Sequence, residues 1–241
     1  YPSEEVFFFR QEMAPAVDER GQLLMSAKDS LALSPNGNGG WYISLERAGL
    51  VKEMSARGVE WFNVFSVDNV LQRIADPEFL GATILSGKAT GAKFVRKAYP
   101  EERVGVLCLE DGLPNVIEYY ELSEKMANLR DGEGRLIYSF GVTLNYLFRL
   151  DVLKRIAGEH LPVHAANKKI PYLNDEGILV VPEHENGYKF ETLILDMVRQ
   201  AGSCLPYEVV REREFAPIKN KTGKDSVESA RVLLKLNGVE L

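Results

Sequence analysis

The sequence predicts an α/β protein whose layers pack about a mixed, mostly parallel central sheet flanked by helices. Three observations carry this expectation. Apolar runs of strand length alternate with segments of helical period. The run Trp61 to Val67 is almost continuously apolar, which suits a strand buried on both faces. Asp111-Gly112 stands between two strand patterns and signals an inserted antiparallel hairpin.

The elements follow in order. Val6 to Arg10 reads as a first strand, with turn chemistry at Glu19-Arg20-Gly21. The loop Ser34-Pro-Asn-Gly-Asn-Gly-Gly40 leads into a helix from about Tyr42 to Arg57, with Leu45, Leu50 and Met54 inward and Gly58 as its stop. The strand from Trp61 ends abruptly at Asp68-Asn69, and a helix follows from Pro77 to about Ser86. Lys93 to Lys97, Val104 to Leu109 and Asn115 to Leu122 read as strands. A polar stretch from Ser123 to Arg135 precedes a strand over Val142 to Leu150 and a short helix over Asp151 to Ala157. The remaining expectations are a helix from Lys189 to Ala201, a strand from Pro206 to Arg211 and a helix from Ser226 to Leu236. No composition shift marks an internal boundary, so residues 1–241 are expected to form one domain. The chain lacks an initiating Met and opens close to a strand, which suggests that it is cropped.

Composition narrows the function. With 45% hydrophobic and 27% charged residues in 241, the chain is an ordinary globular sequence. Its net charge of -6 argues against nucleic acid as a partner, since duplex binding needs a basic face to displace counterions. Any anionic ligand must then be held by local lysines. No apolar run reaches the ~18 residues of a membrane span, and Tyr-Pro-Ser-Glu-Glu has no signal-peptide pattern. Cys108 and Cys204 are too few for a disulfide framework. The expectation is a cytoplasmic protein with reduced thiols and no membrane partner.

Four places could carry chemistry. The glycine loop can turn several N–H groups toward a phosphate, although a helix cap with a flexible lead-in explains it locally. Asp68, at the carboxyl end of the most apolar strand, is placed either to hold a divalent metal or to cap the next turn. Lys219 follows the apolar stretch Phe215-Ala-Pro-Ile218, which would fix its stem and aim its head inward, whereas Lys221 and Lys224 read as solvated. On the strand pattern Val116 to Leu122, Glu118 and Tyr120 share one face, with Ile117, Tyr119 and Glu121 on the other; a carboxylate there suits sugar hydroxyls, or is plain edge decoration. His160, His164 and His184 lack metal spacing and are expected to be non-catalytic. There is no nucleophile elbow and no Walker lysine, which fits a transfer run by positioning and charge neutralisation.

Seven segments in order resemble the UDP-N-acetylglucosamine pyrophosphorylase family, within the uridylyltransferases that make UDP-sugars. They are Ser-Pro-Asn-Gly-Asn-Gly-Gly at 34–40, Ser-Val-Asp-Asn at 66–69, Ile-Glu-Tyr-Tyr-Glu-Leu at 117–122, Asn-Tyr-Leu-Phe at 145–148, Lys-Lys-Ile-Pro-Tyr at 168–172, Asn-Gly-Tyr-Lys-Phe-Glu at 186–191 and Phe-Ala-Pro-Ile-Lys-Asn at 215–220. The resemblance implies a Rossmann-like nucleotide-diphosphosugar transferase fold. It also implies the reaction of UTP with N-acetylglucosamine 1-phosphate to UDP-N-acetylglucosamine and pyrophosphate, with Mg2+. By the same resemblance Gly37 and Asn38 lie along the nucleotide, Asp68 stands by the α-phosphate and the metal, and Lys219 neutralises phosphate charge. Gly105, Glu118, Tyr119 and Asn145 line the sugar, Tyr119 and Asn145 nearest its N-acetyl group, and Lys189 serves the phosphate side. The family's own glycine-rich loop with Thr-Arg is expected ahead of Tyr1, and Leu193 and Leu195 stand where the family often has aromatics. A UDP-glucose or broad UDP-sugar pyrophosphorylase is the alternative within enzymes, and a non-catalytic nucleotide-sugar binding module the alternative outside them.

Overall fold

A ten-residue strand, Phe140–Arg149, organises the larger sheet. The computed structural model describes residues 2–240. In chain order the elements are β1 (Met13–Pro15), β2 (Val17–Asp18), β3 (Met25–Ala27), β4 (Ser30–Leu31), β5 (Leu33–Pro35), α1 (Trp41–Arg47), α2 (Leu50–Ala56), β6 (Trp61–Phe65), α3 (Pro77–Leu85) and β7 (Thr90–Arg96). They continue with β8 (Val106–Glu110), β9 (Leu113–Ile117), α4 (Glu124–Ala127), β10 (Phe140–Arg149), α5 (Leu150–Ala157), β11 (His164–Lys168), β12 (Tyr172–Leu173), β13 (Leu179–Val180) and β14 (Gly187–Glu191). The last are α6 (Ile194–Gln200), β15 (Cys204–Glu208), α7 (Arg211–Glu214) and α8 (Val227–Leu236). The chain divides into two compact units, Tyr1–Val59 with Lys154–Met197 and Glu60–Leu153 with Val198–Leu241.

The second unit holds a mixed sheet in the order β15-β7-β10-β8-β9, with β6 also on β10. Strand β7 lies along one edge of β10, while β8 at Gly141 and β6 from Asn145 onward divide the other. The change of partner falls at a bulge where Leu144 takes φ 52°, a left-handed conformation that costs a branched residue about 1–2 kcal/mol. The Leu144 carbonyl accepts the Ser66 N–H at 3.1 Å, so the bulge ties β10 to the segment leaving β6. The expectation of a mostly parallel sheet is corrected here. Strands β6, β7, β8 and β15 share one direction, but β10 runs against them in their midst, and the β7–β15 ladder is the parallel one among the described residues.

Helices flank this sheet. On β7, Gly91 is required because a Cβ would stand 2.8 Å from the Phe79 ring of α3. Helix α8 sets Ala230, Leu233 and Leu234 against Leu71, Ala216 and Ile218. The Asp111-Gly112 turn has φ 53° and 79°, the paired positive values that close a two-residue hairpin between β8 and β9, as expected. Into this core β7 also carries Lys93, 1% exposed, with Nζ 2.7 Å from Asp76 and 2.6 Å from Glu214. Burial works to raise the Asp76 carboxyl, but the hydrogen bond and charge of Lys93, joined by Arg73, outweigh it and hold that carboxyl below its ordinary range.

The first unit holds the three-stranded sheet β11-β14-β2 and the pairs β1–β5, β3–β4 and β12–β13. Its core is Ala16, Leu24, Ala32 and Ile170, with Tyr172 packed on it. Three expectations give way in this unit. Val6 to Arg10 forms no ladder among the described residues, and a lone strand pattern without a neighbour has nothing to pair with. The helix from Tyr42 to Arg57 is broken at Gly49, whose φ of 78° ends α1 and starts α2. The helix foreseen from Lys189 is strand β14 followed by α6, because ladder partners on both β11 and β2 override local periodicity.

At the start of α8, Ser226 accepts the Ser229 N–H at 3.3 Å and donates to the Gly223 carbonyl at 2.7 Å, while its own N–H reaches Ser229 Oγ at 2.9 Å. Ser226→Ala removes a fully buried cap and is expected to cost about 1–2 kcal/mol, read as a lower urea midpoint at unchanged slope.

Candidate functional site

Asp68 lies three residues beyond β6 and is half-buried, with its carboxylate accepting from the Ser66 hydroxyl. Its segment is laced to the segment after α7. The Ile218 N–H donates to the Asp68 carbonyl at 2.9 Å, and the Val70 N–H to the Ala216 carbonyl at 3.3 Å. Asn69, 3% exposed, donates its amide to the Glu214 carbonyl at 2.8 Å and accepts the Ala216 N–H at 2.9 Å. Asn69 and Pro217 form an isolated antiparallel bridge. Two stretches far apart in sequence are thereby run side by side, one bearing Asp68 and the other Lys219.

Phe215, Ala216 and Pro217 are buried, as the apolar collar suggests, but Lys219 itself is exposed rather than aimed inward. The collar holds the backbone, with the Lys219 N–H on the Asp225 carbonyl at 2.7 Å, and leaves the side chain outside. No described ion pair involves the Lys219 ammonium. Lys221 is exposed, as expected. Lys224 is not simply solvated, because Nζ bonds the Tyr99 hydroxyl at 2.8 Å and stands 3.7 Å from Glu102.

No group of three or more metal-binding side chains occurs among the described residues. A hard divalent cation that keeps several waters and takes its remaining ligands from phosphates can be served by a single protein carboxylate. Asp68 offers one such carboxylate, with the Ser66 hydroxyl donating to one of its oxygens.

In the same unit Gly105 is buried, and a Cβ on it would stand 3.1 Å from Val116 and 3.7 Å from the Glu118 carboxylate. The structure thus brings Gly105 and Glu118 together. Strand β9 ends at Ile117, however, and residues 118–122 turn, with the Glu121 and Leu122 N–H groups on the Glu118 carbonyl at 2.9 and 3.2 Å. The alternation that paired Glu118 with Tyr120 therefore does not apply. Tyr119 is 44% exposed and meets Tyr120 edge-on at 5.3 Å. Asn145 is 1% exposed, its carbonyl accepting from Asn63 at 2.7 Å and its amide reaching the Arg73 carbonyl at 3.4 Å. Asn63 also donates to the Tyr146 carbonyl at 3.0 Å and accepts the Ala75 N–H at 2.9 Å. Asn63 was not among the residues the sequence singled out. Its signal was a lone amide inside an apolar strand run.

The glycine loop belongs to the first unit. Gly37 has φ 86°, and a Cβ on it would stand 2.2 Å from the Thr192 carbonyl oxygen; at Gly39 it would meet the Leu193 backbone at 2.8 Å. The glycines are there because residues 192–193 press against them. The Gly39 N–H donates to the Thr192 carbonyl at 2.8 Å, and Asn38 Oδ1 accepts the Ile194 N–H at 2.9 Å, capping α6. Lys189 is half-buried on β14 opposite Ala166. His164 pairs with Asp196 at 2.9 Å. Burial pushes the Cys204 thiol up to about 11 and raises that of Cys108, so neither is a poised nucleophile at neutral pH.

The family described as UTP–glucose-1-phosphate uridylyltransferase matches residues 2–237. The chain belongs to that family. It is 44% identical over 234 residues to the human UDP-N-acetylhexosamine pyrophosphorylase-like protein 1, a match that covers 95% of this chain and 46% of that protein. Among solved structures, the uridine diphosphate N-acetylglucosamine pyrophosphorylase of Trypanosoma brucei aligns with a TM-score of 0.85 at 27% identity, covering 97% of this chain and 48% of that one. A UDP-glucose pyrophosphorylase of Leishmania major shares the fold at 21% identity, with a TM-score of 0.69 over 92% of this chain and 47% of that one. The chain thus spans about half the length of these relatives. These family members bear out the expected transferase fold, with a mixed central sheet between helices.

A side chain at position 37 meets a backbone carbonyl that cannot turn away. Gly37→Ala is expected to cost at least about 1–2 kcal/mol for the left-handed backbone alone, which in a domain of this size lowers the melting temperature by roughly 2–8 °C, measured by calorimetry.

Proposed function

We propose that this protein makes UDP-N-acetylglucosamine and pyrophosphate from UTP and N-acetylglucosamine 1-phosphate. The observation that carries the reading is the Asp68 carboxylate held on a segment hydrogen-bonded to the one that presents the Lys219 ammonium, which has no described carboxylate partner. The names of the human and trypanosomal relatives support it.

In this reading residues 1–241 work as one catalytic domain. A phosphate oxygen of the sugar 1-phosphate attacks the α-phosphorus of UTP in line; the new P–O bond forms as the bond to the β-phosphate oxygen breaks, and pyrophosphate carries the charge away. Asp68 would hold Mg2+, which when bound would supply Lewis-acid neutralisation of the phosphate oxygens. Lys219 adds a positive charge where negative charge gathers on the leaving group, a role that asks for a cation not already paired. In the first unit Lys189 is the lysine given to a phosphate. Gly37 and Asn38 lie along the nucleotide. Gly105 leaves room beside the Glu118 carboxylate, which accepts from sugar hydroxyls, while Tyr119 faces the N-acetyl group and Asn145, 1% exposed and bonded to Asn63, contributes from beneath the surface. The net charge of -6 does not favour a polyanionic partner, and no described helix is long and apolar enough to cross a membrane. The protein acts in the cytoplasm.

The test uses the protein expressed from its complete gene, assayed for pyrophosphate release with UTP, Mg2+ and N-acetylglucosamine, N-acetylgalactosamine or glucose 1-phosphate. Release with an N-acetylated sugar, exceeding that with glucose, is expected. Release with glucose 1-phosphate alone would shift the reading to a UDP-glucose enzyme, and none with any sugar would end it. Asp68→Ala and Lys219→Ala are each expected to lower kcat by roughly 10²–10³-fold.

A further inference from the structure

Buried charge stands at the root of both segments that carry Asp68 and Lys219. Lys93 of β7 is 1% exposed and sends its ammonium to Asp76 Oδ2 at 2.7 Å and to Glu214 Oε2 at 2.6 Å. Phe79 covers it further, with its ring centroid 5.4 Å from Nζ. Asp76, 4% exposed, ends the segment that begins beside Asp68 and caps α3 by accepting the Glu78 N–H at 3.2 Å. Glu214 closes α7 immediately before Phe215–Lys219, and its carbonyl takes the Asn69 amide at 2.8 Å. One ammonium therefore grips the far end of the acid's segment and the near end of the lysine's segment, and Asn69 joins the two directly.

Packing alone does not ask for this arrangement, because a buried ion group replaced by apolar side chains of similar volume is often neutral or stabilising. What the charges supply is a fixed relation between two carboxylates that would otherwise repel each other inside the core. We propose that Lys93 is a positioning residue for nucleotidyl transfer, setting the spacing of the Asp68 carboxylate and the Lys219 ammonium through Asp76 and Glu214 without touching substrate. The inference rests on the roles given above to Asp68 and Lys219. With Lys93 removed, Asp76 and Glu214 part, the two laced segments shift against each other, and a displacement on the order of 1 Å costs about 10²-fold in rate.

The experiment compares Lys93→Met, the triple variant D76N/K93M/E214Q, Lys93→Arg and Leu24→Ala in the protein expressed from its complete gene. Leu24 lies in the separate core of Ala16, Ala32 and Ile170 and serves as a control for lost stability. Lys93→Met is expected to lower kcat by about 10²-fold while the KM for UTP moves by less than roughly threefold. The Mg2+ concentration for half-maximal rate rises, and Mn2+ binding in the presence of UTP, followed by electron paramagnetic resonance, weakens. Lys93→Arg recovers part of kcat. The triple variant carries no uncompensated buried charge, so it recovers thermal stability but not kcat, and it keeps the test decisive if Lys93→Met does not fold. Leu24→Ala loses thermal stability and keeps kcat. The proposal is overturned if the folded triple variant turns over like the wild type, or if Leu24→Ala loses as much kcat as Lys93→Met. If Asp68→Ala retains activity, the reading of Asp68 itself falls and this inference with it; an inactive Asp68→Ala beside a fully active triple variant sinks the positioning role alone.

Discussion

An ammonium buried at 1% exposure has to keep its counter-charges, and that requirement at Lys93 organises the unit around the larger sheet. The two carboxylates that meet it come from opposite ends of the unit's sequence, Asp76 before α3 and Glu214 at the close of α7. Each drags a segment with it. Helix α3 is thereby pinned on β7, where Phe79 packs over Gly91, and α7 delivers Phe215 to the cluster of Val95, Val104 and Val209. The backbone bonds between 68–70 and 216–218 follow from the same convergence.

A second constraint is the change of partner along β10. One strand cannot hold β8 and β6 on the same edge without a break, and the break is the bulge at Leu144. Because Leu144 offers its carbonyl to Ser66, the irregularity that divides the sheet also steers the chain from β6 toward Asp68. Next to it, Asn63 and Asn145 complete each other across the β6–β10 ladder, so two amides that would be costly in an apolar sheet are satisfied.

The first unit makes a different use of close contact. The glycine loop is shaped by residues 192–193, which approach so nearly that Gly37 and Gly39 have no room for a Cβ. Asn38 spends its side-chain oxygen on the first turn of α6 rather than on α1, so the loop that reads as a lead-in to one helix is the cap of another. The sequence showed the glycines and the family pattern but not that partner, since Thr192 and Leu193 lie some 155 residues along, a separation shown by the 156-residue span of the Asn38–Ile194 bond.

Local chemistry by itself determined the hairpin at Asp111-Gly112, the helix over Pro77 to Leu85, the capped helix after Ser226, the flanking of a mixed sheet by helices and the ordered motifs that place the chain in its family. Each depends on backbone preferences or side-chain reach within a few residues. The tertiary structure alone decided that β10 runs against its neighbours, that Lys189 sits on a strand, that Glu118 lies in a turn, that Lys93 is buried and that the side-chain oxygen of Asn145 accepts from Asn63. Those outcomes are set by partners far along the chain, 82 residues for Asn63 and Asn145 and 145 for Asn69 and Glu214. A lysine in a strand pattern reads alike whether it meets water or two carboxylates, and only the convergence of distant segments supplies the counter-charge that lets it stay inside.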